Sequence, residues 1–202
     1  MHLQSIEDLD AAGRERLARV VLEGFVEHAP ASWPTIESAR EEIDDYFERE
    51  QRLSRVARLD DGRIAGWIAA HHAWGHAWEI HPLVVAPEHR GRGLGRDLVV
   101  AIEDLIWDRD ALVIDLGTSD ETNATTVGGI DICADPVDAL ASFRCLERHA
   151  AGFWLRMDYA LVGFVPDAEG PGKPTIRFAK TRPASVSKTR PASASKTRPA
   201  AR

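Results

Sequence analysis

The stretch Leu83-Val-Val-Ala-Pro-Glu-His-Arg-Gly-Arg-Gly-Leu-Gly-Arg-Asp-Leu98 decides how this chain folds. An apolar run that is typical of a strand ends at Ala86-Pro87, and a loop with three glycines leads directly into an amphipathic helix. Glycine allows a tight turn and a close approach of the backbone to a ligand. The unpaired N–H groups at the start of the helix lie at the positive end of its dipole. The segment therefore predicts a cradle for a phosphate or pyrophosphate.

Two familiar phosphate-binding patterns do not fit this loop. A dinucleotide-binding turn has G-x-G-x-x-G in a parallel βαβ unit, whereas the glycines here follow G-x-G-x-G after antiparallel hairpin signals. A P-loop needs Gly-Lys-Ser/Thr, which is absent. The remaining pattern is Arg90-x-x-Gly93-x-Gly95. Arg90, Arg92 and Arg96 add positive charge around the predicted cradle.

Hydrophobic periodicity on either side of the loop predicts helices and strands in a definite order. Helices are predicted over residues 5–25, 34–48, 95–108 and, in one or two pieces, 140–157; strands are predicted over 53–59, 63–70, 78–85, 111–116, 159–165 and 175–179; residues 117–138 give mixed signals. Asp60-Asp61-Gly62 predicts the turn of a hairpin. The order indicates an α/β fold with one mixed, largely antiparallel central sheet flanked by helices.

Length and composition predict one domain with a tail. The chain has 202 residues, and no run approaches the roughly 18 apolar residues of a membrane span. The first ten residues do not resemble a secretory signal, and two cysteines suit a reducing cytoplasm. We predict a folded domain over residues 1–179. Residues 180–202 repeat KTRPAS with almost no apolar bulk, which predicts a disordered tail.

The charge of the chain is unevenly distributed. The net charge is −7, but the tail carries seven basic residues and no acidic one, so the remainder carries −14. An acidic body argues against nucleic acid as a partner and suits a cationic small molecule, because it raises the local concentration of cations. The tail itself could serve as a basic arm for an anionic partner or be a repeat expansion without function.

The loop and its context resemble the acetyl-CoA signature of the GNAT acetyltransferase superfamily, [Q/R]-x-x-G-x-[G/A]. The resemblance implies acetyl-CoA as co-substrate, with β-like backbone hydrogen bonds from Val84 and Val85 to the pantetheine chain. It places the pyrophosphate on the amides of Arg90, Gly91, Arg92, Gly93, Leu94, Gly95 and Arg96. Asn123 is a candidate contact for the pantetheine arm, or a loop asparagine that stabilises its own turn. Dimers are common in this superfamily.

Candidate bases lie on the strand that precedes the loop. Glu79 and His81 are two residues apart and therefore share one face of the strand. Either a carboxylate or an imidazole can take the proton that an ammonium must lose before it attacks a thioester. The resemblance also favours a base on this strand.

The general acid of many GNAT enzymes is a tyrosine on the last helix. At the matching position this chain has Trp154, and an indole cannot give a proton to a thiolate. Asp158 replaces the usual glycine, and Tyr159 lies one turn away. We therefore expect water to protonate the thiolate and Trp154 to pack in the core or against the cofactor.

The acceptor amine follows from a narrower resemblance. The end of the body, Val162 to Lys180, and the strand from Trp78 resemble a subgroup likened to aminoglycoside 6′-N-acetyltransferases, which act in antibiotic resistance. Carboxylates and aromatic faces suit an amino sugar, kasugamycin type included. The candidate acceptor residues are Trp33, Asp44, Asp45 and Trp67. Another amine acceptor (polyamine, amino acid, protein N-terminus or lysine) and a non-catalytic acyl-CoA-binding role are alternatives. The spacing of the histidines at 71, 72 and 76 does not favour a metal site.

Overall fold

The computed structural model of the chain describes residues 1–27, 29–48 and 51–184. In chain order its elements are β1 (His2–Gln4), α1 (Ala11–Phe25), α2 (Ile36–Glu48), β2 (Arg52–Arg58), β3 (Ile64–Trp74), β4 (Ala77–Val85), α3 (Leu94–Trp107), β5 (Val113–Ser119), α4 (Pro136–Ala141), α5 (Ala150–Arg156), β6 (Ala160–Val165) and β7 (Thr175–Thr181). None of the helices in these ranges is long and apolar enough to cross a membrane. Most of the predicted disordered tail, from residue 185 on, lies outside the described residues.

The seven strands form one sheet in the order β1-β2-β3-β4-β5-β7-β6. Neighbouring strands are antiparallel except β4 and β5, which run parallel. A parallel pair needs a crossover connection, and the glycine-rich loop and α3 supply it. The predicted class, an α/β fold with a mixed and largely antiparallel sheet flanked by helices, is confirmed.

The core lies on both faces of the sheet, because adjacent strand residues point in opposite directions. Trp67 and Ile68 are neighbours on β3, yet Trp67 packs among residues of α1 and α2, while Ile68 packs among residues of α3. The helix predicted after the loop is amphipathic as expected, since Leu98, Ile102 and Ile106 of α3 are each 0% exposed.

The N-terminal segment differs from its prediction. Residues 2–4 form β1, which pairs with β2, and a 3-10 turn follows at Ile6–Asp8. Helix α1 begins only at Ala11, because the Asp10 carboxylate accepts a hydrogen bond from the Gly13 amide (2.7 Å) and caps the helix there. Leu9 is buried in the core just before that cap. The helix predicted over residues 5–25 therefore consists of two elements, the 3-10 turn and α1.

An ion pair joins β7 to α3 at the start of the repeat tail. Lys180 donates to both carboxylate oxygens of Glu103 at 2.9 Å and to the Met157 carbonyl at 3.1 Å. Glu103 is only 8% exposed. The first lysine of the repeats therefore belongs to the folded sheet.

Lys180→Met is expected to lower the free energy of unfolding by about 3 kcal/mol, because it leaves the Glu103 charge buried without its partner. Chemical denaturation measures this change. Lys173→Met, in the turn between β6 and β7, is the matched control and should change stability far less. Equal stabilities for the two variants would show that the pair contributes nothing net.

Candidate functional site

A groove of about 610 Å³ opens where β4 and β5 separate. The two strands pair only from Ala77–Val113 to Glu79–Asp115, and beyond that register no β4–β5 pair forms. The following residues of β4 and the end of β5 line the groove instead. An open slot between two strands can accept an extended chain as an inserted partner.

Val85 presents its backbone to this slot. The Ala86 amide donates to the Ala65 carbonyl of β3 at 2.9 Å. Because neighbouring strand residues point their backbone groups to opposite sides, the backbone of Val85 points away from β3 and into the slot. Val84 by the same alternation faces β3, although it also lines the groove. Of the two valines predicted to bind pantetheine, Val85 is the one oriented for a backbone hydrogen bond.

The glycine-rich loop forms one end of the groove. Gly91 and Gly93 adopt φ angles of +74° and +89°, a conformation that favours glycine, and a Cβ at either residue would project into open space. Gly93 caps α3 without any side-chain hydrogen bond, so the first amides of the helix stay available. Leu94, Gly95 and Arg96 line the groove as well. This backbone fits the pyrophosphate of acetyl-CoA.

The Arg90 side chain is held in place by groups of the protein itself. Its guanidinium donates to the Gly24 carbonyl (2.6 Å) and the Val85 carbonyl (3.2 Å) and pairs with Glu27 (3.2 Å). It thus connects the loop to the end of α1. Arg92 is exposed and does not line the groove, whereas Arg96 does. Arg90 lines the groove as well, so the contribution of its amide and its charge to pyrophosphate binding stays a prediction.

Arg148 and Arg156 also line the groove, at the two ends of α5. Sequence reasoning missed both of them. The sequence showed that both residues are basic. It did not show that α5 lies beside the glycine-rich loop, which is what brings them to the groove.

Asn123 does not line the groove. It is exposed with φ of +57°, and its carboxamide packs beside Gly128 and Gly129. The pantetheine contact predicted for it is therefore corrected, and the alternative of a turn-forming asparagine fits. Thr118 and Ser119, at the end of β5, line the groove instead.

His149 fixes the end of β5 and was also missed. Its Nδ1 accepts the Ala151 amide at 3.1 Å, which caps α5. The proton of a neutral ring therefore lies on Nε2, which donates to the Ser119 carbonyl at 2.9 Å. His149 lines the groove and connects two of its walls.

The two predicted bases have different surroundings. His81 lines the groove, its side chain is 50% exposed, and its ring lies 5.5 Å from that of Trp33. Glu79 does not line the groove, and its carboxylate pairs with Arg177 at 3.0 Å and lies 3.6 Å from His71. The two share one face of β4, but only His81 lines the groove.

Glu79 belongs to a half-buried polar cluster with His71, Asp115 and Arg177. Arg177 also pairs with Asp115. Burial lowers the pKa of His71, against the opposing charge of Glu79. Burial likewise raises the pKa of Asp115, against the opposing charge of Arg177. Both groups are therefore biased toward their neutral forms.

The predicted acceptor residues are only partly brought together. Trp33 lines the groove and packs on Phe25 with ring centroids 4.4 Å apart. Asp44 is exposed on α2 outside the groove, and Asp45 pairs with Arg52 at 2.6 Å. Trp67 is 0% exposed. Its ring cannot stack on a sugar, so the prediction for Trp67 is wrong.

Trp154 is 5% exposed, lines the groove from α5 and packs against Phe153 and Tyr159. Tyr159 is buried and does not line the groove. The wall of the groove thus has an indole at the position of the usual tyrosine. Within residues 1–27, 29–48 and 51–184, no group of three or more His, Cys, Asp or Glu side chains is placed to hold a metal ion.

Known proteins resemble this chain over nearly its whole length. An aminoglycoside 6′-N-acetyltransferase in complex with coenzyme A is 29% identical, with a TM-score of 0.79, over 91% of this chain and 99% of that one. The aminoglycoside 6′-N-acetyltransferase from Enterococcus faecium is 30% identical over the same shares, with a TM-score of 0.78.

A streptothricin acetyltransferase of Streptomyces lavendulae is 39% identical over 71 residues. That match spans 34% of this chain and only 38% of the relative's length. The family model described as "Acetyltransferase (GNAT) family" matches residues 19–128. Together with the coenzyme A complex, these matches confirm the predicted family and its co-substrate. The chain belongs to the GNAT family of acetyltransferases.

Proposed function

We propose that this protein transfers the acetyl group of acetyl-CoA to a primary amine of an aminoglycoside or a similar amino sugar. The observation that carries the proposal is the continuous groove, which leads from the amides at Gly91 and Gly93 past the β4–β5 slot to His81 and Trp33. The full-length similarity to two aminoglycoside 6′-N-acetyltransferases supports the amino-sugar class. The cytoplasm, where acetyl-CoA is abundant, is the proposed location.

The reaction needs an amine in its neutral form. When bound, acetyl-CoA supplies the thioester whose acetyl group passes to the amine as CoA leaves as a thiol. His81 takes one proton from the acceptor ammonium, directly or through a water molecule, so that the nitrogen lone pair is free to attack. Glu79, two residues before His81 on the same face of β4, is the second candidate for the proton acceptor. As the C–N bond forms and the C–S bond breaks, the nitrogen loses its second proton to solvent, and solvent water delivers a proton to the thiolate sulfur, since Trp154 cannot.

The remaining residues hold the reactants in position. The backbone of Val85 and the first amides of α3 bind acetyl-CoA, while Arg96, Arg148 and Arg156 offer positive charge to its phosphates. The Trp33 ring is 7% exposed and contacts the rings of Phe25 and His81, so it offers the acceptor only a small aromatic surface. Holding amine and thioester together supplies a large part of the acceleration.

Thiol release from acetyl-CoA by the purified protein tests the proposal. The panel contains aminoglycosides including kasugamycin, streptothricin, polyamines, amino acids and a peptide with a free N-terminus. We expect release with at least one amino sugar. Release only with a polyamine, amino acid or peptide would reassign the acceptor class, and acetyl-CoA binding without any release would indicate a binding protein.

A further inference from the structure

Helix α2 contacts His81 from two sides. The Tyr46 hydroxyl donates a hydrogen bond to the His81 carbonyl. The Glu42 carboxylate lies 3.8 Å from His81 Nε2, and its side chain is 21% exposed. Glu42 and Tyr46 are four residues apart, so they share one face of the helix. One helix face thus reaches both the backbone and the imidazole of the same residue.

Tyr46 is itself held in a fixed place. It is 3% exposed, and its ring meets the Trp67 ring edge to face at 5.3 Å. The guanidinium carbon of Arg52 lies over the Tyr46 ring, 4.4 Å from its centroid, and Asp45 pairs with Arg52. Burial, with a further contribution from the Glu42 charge, raises the pKa of Tyr46, so its hydroxyl keeps the proton that it donates.

Two of the residues predicted to bind the acceptor instead support Tyr46, which contacts His81. Trp67 supports Tyr46, and Asp45 supports it through Arg52. Trp33, the third, flanks the imidazole itself at 5.5 Å with the ring planes tilted by 34°. Three of the four predicted acceptor residues therefore lie around His81, Trp33 by direct contact and the other two through Tyr46.

We propose that Glu42 and Tyr46 are positioning residues that hold His81 in the orientation needed to receive the acceptor's proton. The inference rests on the proposed function. Tyr46 fixes the position of the His81 backbone through the hydrogen bond to the His81 carbonyl. Glu42 is too far from Nε2 for a hydrogen bond, so it acts by charge and orients the ring N–H toward α2. A displacement of about 1 Å at a reacting group can cost on the order of 100-fold in rate.

Tyr46→Phe and Glu42→Gln test this role in the full chain. Each variant should lower kcat with the amino-sugar acceptor about tenfold or more, and the KM for acetyl-CoA should stay unchanged. Glu42→Asp keeps the charge at a shorter reach and should recover part of the loss. Unchanged kcat in both Tyr46→Phe and Glu42→Gln would overturn the proposal.

Tyr159→Phe is the matched control for Tyr46→Phe. Tyr159 is also buried, but it lies under α3 beside Glu103 and does not line the groove. We expect its loss of a hydroxyl to leave kcat unchanged. If Tyr159→Phe lowered kcat as much as Tyr46→Phe, the loss would be a general effect of removing a buried hydroxyl, and the positioning role of Tyr46 would be refuted.

A measurement without acceptor separates this inference from the proposed function. The ¹H–¹³C cross-peak of the His81 imidazole, identified by its loss in His81→Gln, reports the ring environment directly. It should shift or broaden in Tyr46→Phe and Glu42→Gln and remain in place in Tyr159→Phe. An unmoved cross-peak would refute the positioning role even if no acceptor were found, and a moved one would support it even if the acceptor class were wrong.

Discussion

His81→Gln is expected to lower kcat/KM for the acceptor by about 100-fold to 1,000-fold, within the roughly 100-fold to 10,000-fold contribution of a positioned acid–base group. Glutamine keeps the size and polarity of the side chain but cannot take a proton. The KM for acetyl-CoA should stay near its original value, because the glycine-rich loop and β4 backbone that hold it are unchanged. Thiol release at several acceptor concentrations separates the two parameters.

The companion variants decide between the two bases. Glu79→Gln should cost about tenfold or less, since Glu79 does not line the groove and is paired with Arg177. His76→Gln, in the exposed turn between β3 and β4, makes the same substitution outside the groove and should leave kcat/KM unchanged. A larger loss in Glu79→Gln than in His81→Gln would transfer the role of base to Glu79.

The sequence predicted the backbone geometry of the glycine-rich loop well because the loop belongs to one continuous segment. A strand end, three glycines and a helix start lie within sixteen residues, so local rules describe their geometry. Gly91 and Gly93 have the positive φ angles that the pattern demands. The sequence did not indicate the partners of the Arg90 side chain, because the Gly24 carbonyl that accepts its hydrogen bond is 66 residues away.

The acceptor end was predicted less well because it is built from separate elements. Trp67 and Asp45 lie near the acceptor end of the groove. The pleat of β3 directs the Trp67 side chain into the core, and Asp45 forms an ion pair with Arg52. Glu42 was not distinguished from its acidic neighbours on α2, since only the packing of α2 against β4 selects it. Arg148 and His149 lie within residues 140–157, which were predicted as helical, but α5 begins only at Ala150, so these two residues line the groove from just before the helix.

Gly93→Ala is expected to weaken acetyl-CoA binding by about 100-fold or more. At φ of +89° a Cβ costs roughly 1–2 kcal/mol in strain, and it would project into the open space that a pyrophosphate must occupy. The chain can relieve the strain only by moving the first amides of α3 away from the groove, which removes hydrogen bonds to a charged group worth about 1.5–3 kcal/mol each. Isothermal titration calorimetry with acetyl-CoA measures the loss without an acceptor.

Gly62→Ala separates the strain from the loss of binding. Gly62 has nearly the same angle, φ of +85°, but it lies in the β2–β3 hairpin turn and does not line the groove. Both variants should lose similar stability in thermal unfolding, because both place a Cβ on the same kind of backbone. Only Gly93→Ala should lose affinity. If both variants bind acetyl-CoA equally well, the amides at the start of α3 do not hold the pyrophosphate, and the positive charges of Arg96, Arg148 and Arg156 must hold it instead.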